Sequence, residues 1–231
     1  MNHSTINQWL ELSNLGIYLA QQEKMFFGAL TKRYGLLGAS AQFGMPGWDL
    51  LPSCSIIQVP EDVRMAPEAM AWIDASLDLL ILPHILECSD TPYQVLAESW
   101  RCLKPGGRVL LSGFNPHSLW RLGKCFDGKQ LPHPRQCLPL PLLKRHVADL
   151  GFTIESGRFM AYVPPVNSER ALRRWHFMEA AGNRWWPHAA AAYGVVLLKR
   201  QAGMTILPEL QEKLADKENA VVLTPAKVKA D

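Results

Sequence analysis

The chain has 231 residues, 48% of them apolar, and a formal net charge of +3, enough length and hydrophobicity for one doubly wound domain with a buried sheet and too little charge for global disorder. No apolar run approaches the ~20 residues of a membrane span, and Met1-Asn-His-Ser-Thr-Ile-Asn7 lacks the basic and apolar regions of a secretory signal. Five scattered cysteines (54, 88, 102, 125 and 137) without a CxxC argue against a disulfide framework or a structural zinc site, and fit a reducing cytosol.

The charge is unevenly spread. Residues 1–100 hold 4 Lys/Arg against 11 Asp/Glu, a balance of −7, whereas residues 101–200 hold 16 against 5, a balance of +11. A basic half suits an anionic partner such as RNA, an acidic metabolite or a lipid surface; a solvated basic helix face is the plainer reading.

In chain order, residues 6–33 read as helical, with Ile6, Trp9 and Leu10, then Leu15/Leu19 and Phe26/Leu30, at helical spacing, and with Ser13, Asn14 and Gly16 as an interruption. Tyr34-Gly-Leu-Leu-Gly38 reads as strand one, and the breakers of Gly44-Met-Pro-Gly-Trp48 allow only a short helix after it. Ser55–Val59 is strand two, closed by Pro60; Val63–Ala66 is a very short strand three; Pro67–Trp72 links to strand four at Leu77–Leu82. Thr91–Leu103 is a helix with Ser89 or Asp90 as its N-cap and Pro92 in its first turn, where a missing N–H does no harm. Lys104-Pro-Gly-Gly107 is a turn into strand five at Val109–Ser112, followed by the loop Gly113-Phe-Asn-Pro116 and one helical turn within 117–122. Phe126–Pro141 is an irregular cover, Pro141–Leu150 a helix stopped by Gly151, and Phe152–Tyr162 strand six. Ser168 caps an Arg-rich helix to Arg184, Ala190–Arg200 is strand seven, and residues 203–231 read as a loosely attached tail.

Two apolar runs joined by a helix, at 77–112, make a parallel βαβ unit, and ligands of such sheets bind outside the carboxyl ends of the strands. The residues just after Leu82 and just after Ser112 are therefore expected to line a site.

The same stretch carries a family resemblance. Asp74-Ala-Ser-Leu-Asp78, Leu80-Ile-Leu-Pro-His-Ile-Leu-Glu87 and Leu96-Ala-Glu-Ser-Trp-Arg-Cys-Leu-Lys-Pro-Gly-Gly107 resemble class I S-adenosylmethionine-dependent methyltransferases of the type 11 kind, whose pattern is D-x-S-F-D-x-V-x-x-x-x-x-L-x-H … L-x-E-x-x-R-V-L-K-P-G-G. The resemblance implies a Rossmann-like, doubly wound α/β fold: a mostly parallel seven-stranded sheet, its last strand antiparallel, with helices on both faces. It makes residues 1–202 one domain, with a helical segment at 1–33, a sheet core at 34–202 and an insert at 163–189.

It also implies S-adenosylmethionine as cofactor. The family's loop after strand one, D-x-G-x-G-x-G, is matched only by Gly38, with Ser40 among the small residues that permit close approach. Glu61 stands where an acid would bind the ribose, its alternative a solvent-facing turn glutamate, and Ala66 and Pro67 where an acid and a small residue would read the adenine edge; that carboxylate is missing. Leu82 and Pro83, at the end of strand four, complete the expected cofactor contacts. His84 is the candidate base or acceptor-orienting group, its alternative being a histidine packed under the sheet edge. Asn115 is a candidate to hydrogen-bond the acceptor, its alternative an Asx-type turn before Pro116. Glu87 reads as an outward helix-start residue rather than a site acid, and Cys88 lies too far along to be a nucleophile. No metal site is expected, and no HExxH, GxSxG or P-loop occurs.

The chain reads Leu82-Pro-His-Ile85 where base- and amide-nitrogen methyltransferases carry Asn/Asp-Pro-Pro-Tyr/Phe, so the acceptor expected is a small molecule. A degenerate, non-catalytic binding protein and an RNA-binding methyltransferase are the rival readings. Arg170–Phe177 with Arg184-Trp-Trp-Pro-His188 could stack bases or cover an acceptor; a hydrophobic cap locking the insert onto the sheet is the reading preferred.

Overall fold

The computed structural model describes residues 3–34, 38–44, 50, 56–60, 62–121, 136–166 and 168–200. The expected tail at 203–231, most of the expected cover at 126–141 and the candidate residue Glu61 lie outside the described residues.

The N-terminal segment forms two helices, α1 (His3–Leu12) and α2 (Asn14–Tyr34). They part at Ser13, whose Oγ accepts a hydrogen bond from Gly16 N at 2.8 Å. Gly16 is required there, because a Cβ would overlap the Trp9 carbonyl oxygen.

Six strands follow in the described residues: β1 (Ser40–Phe43), β2 (Ile56–Val59), β3 (Leu77–Pro83), β4 (Leu103–Phe114), β5 (Phe152–Met160) and β6 (Ala192–Lys199). They form one sheet in the order β2-β1-β3-β4-β6-β5. β6 runs antiparallel to both neighbours, and the other strands are mutually parallel. α3 (Pro92–Cys102) and α4 (Leu140–Asp149) cross between strands, and α5 (Glu169–Trp175) and α6 (Phe177–Trp185) form the insert before β6.

Period-two alternation splits the central strands between two cores. Leu80, Leu82, Val109, Leu111, Val195 and Leu197 pack with Val95 and Leu96 of α3 and Leu143 and Val147 of α4. Leu79, Ile81, Leu110 and Val196 face the other way, onto Phe26 and Phe27 of α2. Both faces are thus covered, as a parallel sheet demands. Each such side chain contributes about 1.5–3 kcal/mol by leaving water.

The fold class holds, with six strands rather than seven. The expected third strand at 63–66 is absent: Ala66 makes only an isolated bridge to Ala69, Pro67 blocks further pairing, and Val63 is exposed. Strand one is displaced. α2 runs on to Tyr34, and the strand begins at Ser40. β4 begins at Leu103, so Lys104-Pro-Gly-Gly107 lies inside a strand and is accommodated by a register shift between Leu77 and Leu79. Thr91, not Ser89 or Asp90, precedes α3; Ser89 Oγ instead accepts from Thr91 N at 3.0 Å. The single helix expected at 168–184 is broken at His176.

The residues shared with the family pattern before β3 and on α3 are structural staples. Arg101 grips Glu98 through Nε and Nη2, at 3.1 and 2.8 Å, and donates to the carbonyls of Met70 and Trp72, both at 2.8 Å. Those hydrogen bonds hold the Glu98 carboxyl below its usual range. Asp78 receives Lys104 Nζ at 2.6 Å and Ala39 N at 2.9 Å, joining β3 to the entry of β1.

Candidate functional site at the carboxyl edge of the sheet

Because β1 to β4 are parallel and adjacent, their carboxyl tips, at Gly44, Pro60, His84 and Asn115, lie along one edge. Gly44 has φ +62°, in the left-handed region that favours glycine, and its N donates to Val59 O at 2.7 Å. The β1 turn is therefore pinned beside the β2 tip. His84, with φ +54°, is a non-glycine residue in the same strained region. Its N donates to Ser112 O at 3.1 Å, which fastens the tip of β3 to β4.

Inside this edge is a sequestered charge cluster. The His84 ring stacks on Phe114 with centroids 4.3 Å apart. Its Nε2 lies 2.9 Å from Glu23 Oε1 on α2, and its Nδ1 lies 3.9 Å from Glu87 Oε1. The His84 and Glu23 side chains reach no solvent, and Glu87 is buried. Burial by itself would lower the imidazole pKa; the charge of Glu23, its hydrogen bond and then Glu87 outweigh burial and raise it to about 10. His84 is therefore an imidazolium at neutral pH. The ring is packed inside the strand tips against Phe114, with a carboxyl group rather than a backbone carbonyl as its partner.

Glu87 faces inward, contrary to expectation. Its Oε1 accepts from Phe114 N at 2.5 Å, while Glu87 Oε2, Glu23 Oε2 and Ser112 Oγ are buried without a hydrogen-bond partner. Two carboxyl groups thus face one imidazole ring at the tips of β3 and β4. Glu23 was not singled out from sequence, and its position among apolar residues of α2 was the one available sign.

The other candidates fall as follows. Gly38 precedes β1, at the amino end of the sheet, where a Cβ would overlap the Asp78 carboxylate. Ser40 opens β1 and is buried in it. Neither follows the strand; Gly44 does, with Gln42 two residues before it. Ala66 and Pro67 sit in the turn bridged to Ala69, which the Met70 N to Glu98 Oε2 bond at 3.1 Å ties to α3. The Leu82 side chain is in the core under α3, and Pro83 pairs with Ser112.

Asn115 is committed to the scaffold. Its Nδ2 donates to the carbonyls of His188 and Ala190 at 2.7 and 2.9 Å, and its Oδ1 accepts from His117 N at 3.0 Å. This is the Asx-type turn, with no amide N–H left for an acceptor. Burial raises the thiols of Cys88 and Cys137 to about 12, which disfavours the nucleophilic thiolate.

A groove of about 980 Å³ lies between α2 and α5, lined by Ile17, Tyr18, Gln22, Met25, Leu172 and His176 among others. Tyr18 spans it, donating to Glu179 Oε1 at 3.0 Å and lying 3.1 Å from His176 Nδ1. Gln22 lines the groove while the next residue, Glu23, meets His84, so α2 joins the groove to the strand tips.

Residues 53–111 match the family model of a methyltransferase domain. Over 66 residues the chain is 35% identical to the uncharacterized protein YafS of Escherichia coli K12, a match that spans 29% of this chain and 28% of that protein. Among solved structures, an S-adenosylmethionine-dependent methyltransferase from Archaeoglobus fulgidus superposes with a TM-score of 0.50 at 15% identity, covering 76% of this chain and 94% of that one. The [4+2]-cyclase SpnF superposes with a TM-score of 0.51 at 12% identity, covering 78% and 82%. The fold is that of the class I S-adenosylmethionine-dependent methyltransferases, and the resemblance carried by residues 74–107 is to that family.

Proposed function

We propose that the chain binds S-adenosylmethionine at the carboxyl edge of β1 to β4 and transfers its methyl group to a small-molecule acceptor. The observation that supports this most is the buried, carboxyl-rich cluster of Glu23, His84 and Glu87 at the tips of β3 and β4, beside the left-handed Gly44 turn. Orphaned carboxylate oxygens in a dry site favour a cation, and the cofactor is a sulfonium. The residues present fit it in that respect.

Gly44 would let the backbone approach the methionine part, and the tips of β3 and β4 would flank it. Asp62, whose Oδ2 accepts from Gln58 N at 2.7 Å, braces the turn after β2. When bound, S-adenosylmethionine would supply an electrophilic methyl: the acceptor lone pair would bond to the methyl carbon as the carbon–sulfur bond breaks, the electron pair leaving with sulfur as a thioether. The protein's part is to hold acceptor and methyl in line and keep water out. The α2–α5 groove is of a size for a small acceptor.

The rival reading, a binding protein without methyl transfer, is favoured by Gln42, an amide rather than an acid two residues before Gly44. The fold alone does not fix the reaction, and one similar structure is named a cyclase. Irradiation with methyl-labelled S-adenosylmethionine tests the site. Label on the peptides carrying Gly44 and residues 83–88 is expected; label elsewhere, or none, contradicts it.

A further inference from the structure

Helix α6 is turned inside out. On a helical projection Phe177, Arg184 and Trp185 fall within roughly 100° of arc, Glu179 lies opposite, and Gly182 falls between Glu179 and Trp185. The side packed on the protein is the one with glycine and glutamate. Gly182 abuts the Tyr162 ring so closely that a Cβ would overlap it, and Glu179 Oε1 accepts from Tyr162 N at 2.9 Å and from Tyr18 at 3.0 Å. The outward side carries the rings: Phe177 is 62% exposed, Trp185 67%, the adjoining Trp186 59%, and Trp175 at the end of α5 39%. The expected cap is therefore absent, since Trp185 and Trp186 project away from the sheet. Four large aromatics exposed within a dozen residues form a patch that calls for a partner.

The charge beside them has one sign. Arg170, Arg174 and Arg184 are exposed, and the nearby Glu169 is neutralised by Arg173. We infer that α5 and α6 form a docking face for an anionic lipid bilayer. Phe177 and Trp185 stand at the two ends of α6, about 12 Å apart along its axis, so a helix lying flat sets both rings at one depth, as interfacial helices do. Arg184, on the arc of Phe177 and Trp185, would reach the phosphate layer beside them. Stacking of nucleic-acid bases would compete with neighbours already placed against three of these rings. Arg184 lies over the Trp185 ring at 5.8 Å, and Trp175 and Phe177 lie against each other with centroids 5.8 Å apart. The α2–α5 groove shares α5 with this face, so an apolar acceptor held in the bilayer would have a short route to it. No helix among the described residues is long and apolar enough to cross a membrane, so the attachment is peripheral.

Sedimentation of the full chain with vesicles tests this. Phosphatidylcholine vesicles containing phosphatidylglycerol should carry the protein down, with binding at least ~10-fold weaker to phosphatidylcholine alone or in high salt. The triple variant Phe177→Ser, Trp185→Ser, Trp186→Ser should weaken binding at least ~10-fold, and Arg184→Glu should do so independently. These side chains are exposed, so both variants should keep the wild-type circular dichroism and melting temperature. The inference is overturned if the wild type stays in the supernatant, if the triple variant binds as well as the wild type, or if the face captures single-stranded RNA and ignores vesicles.

Discussion

Glu23 of α2 and His84 at the tip of β3 meet across 2.9 Å, with neither side chain open to solvent. A buried pair of this kind fastens the N-terminal helix to the strand tips, and breaking it by removing one partner leaves an uncompensated charge inside the protein.

This pair makes stability depend on pH. His84 ordinarily titrates at 6.5 and is held near 10 in the fold. The folded state therefore binds the proton more tightly than the unfolded chain. The contribution is complete below pH 6.5 and is lost as pH rises toward 10, with a slope of at most about 1.4 kcal/mol per pH unit. Urea titrations across this window should show the decline. His84→Gln should flatten it, and an unchanged slope in that variant would dissociate His84 from it.

Arg101 and Arg173 both make ion pairs, but of different worth. Arg101 is two-thirds buried, bidentate to Glu98, and bonded to two carbonyls, whereas Arg173 and Glu169 are exposed. Arg101→Ala should destabilise by about 2–3 kcal/mol, and Arg173→Ala by at most about 0.5 kcal/mol. Denaturant midpoints for the two variants check this, and equal losses would contradict it.

Two glycines separate the site from the scaffold. Gly38 lies against Asp78 at the amino end of β1, whereas Gly44 turns at the carboxyl end with φ +62°. Gly38→Val should lower the melting temperature sharply. Gly44→Ala, a smaller change, should stay folded at a cost of about 1 kcal/mol and weaken cofactor binding at least ~10-fold, since the approach to the strand tip narrows. Thermal melts with and without ligand distinguish these outcomes.

The central strands were readable because Leu79 to Leu82 and Val109 to Leu111 are buried on both faces and stand out as continuous apolar runs. Strand one was not. Tyr34-Gly-Leu-Leu-Gly38 looks as strand-like as Ser40–Phe43, and the end of a long helix carries no periodic mark that separates them. The strand starts at Ser40, which leaves Gly38 before it and Gly44 after it. His84 was located correctly beyond its strand, but its charge state depends on Glu23, a residue that only tertiary packing brings near. Trp185 and Trp186 were read as a cap from their apolarity, whereas Gly182 and Tyr162 set the rotation of α6 and turn them outward.

Isothermal calorimetry with S-adenosylmethionine and S-adenosylhomocysteine bears most directly on the cofactor site. Saturable, submillimolar binding of both, lost in Gly44→Ala and kept in Arg173→Ala, is the predicted result. No binding at millimolar ligand by a folded protein would contradict it.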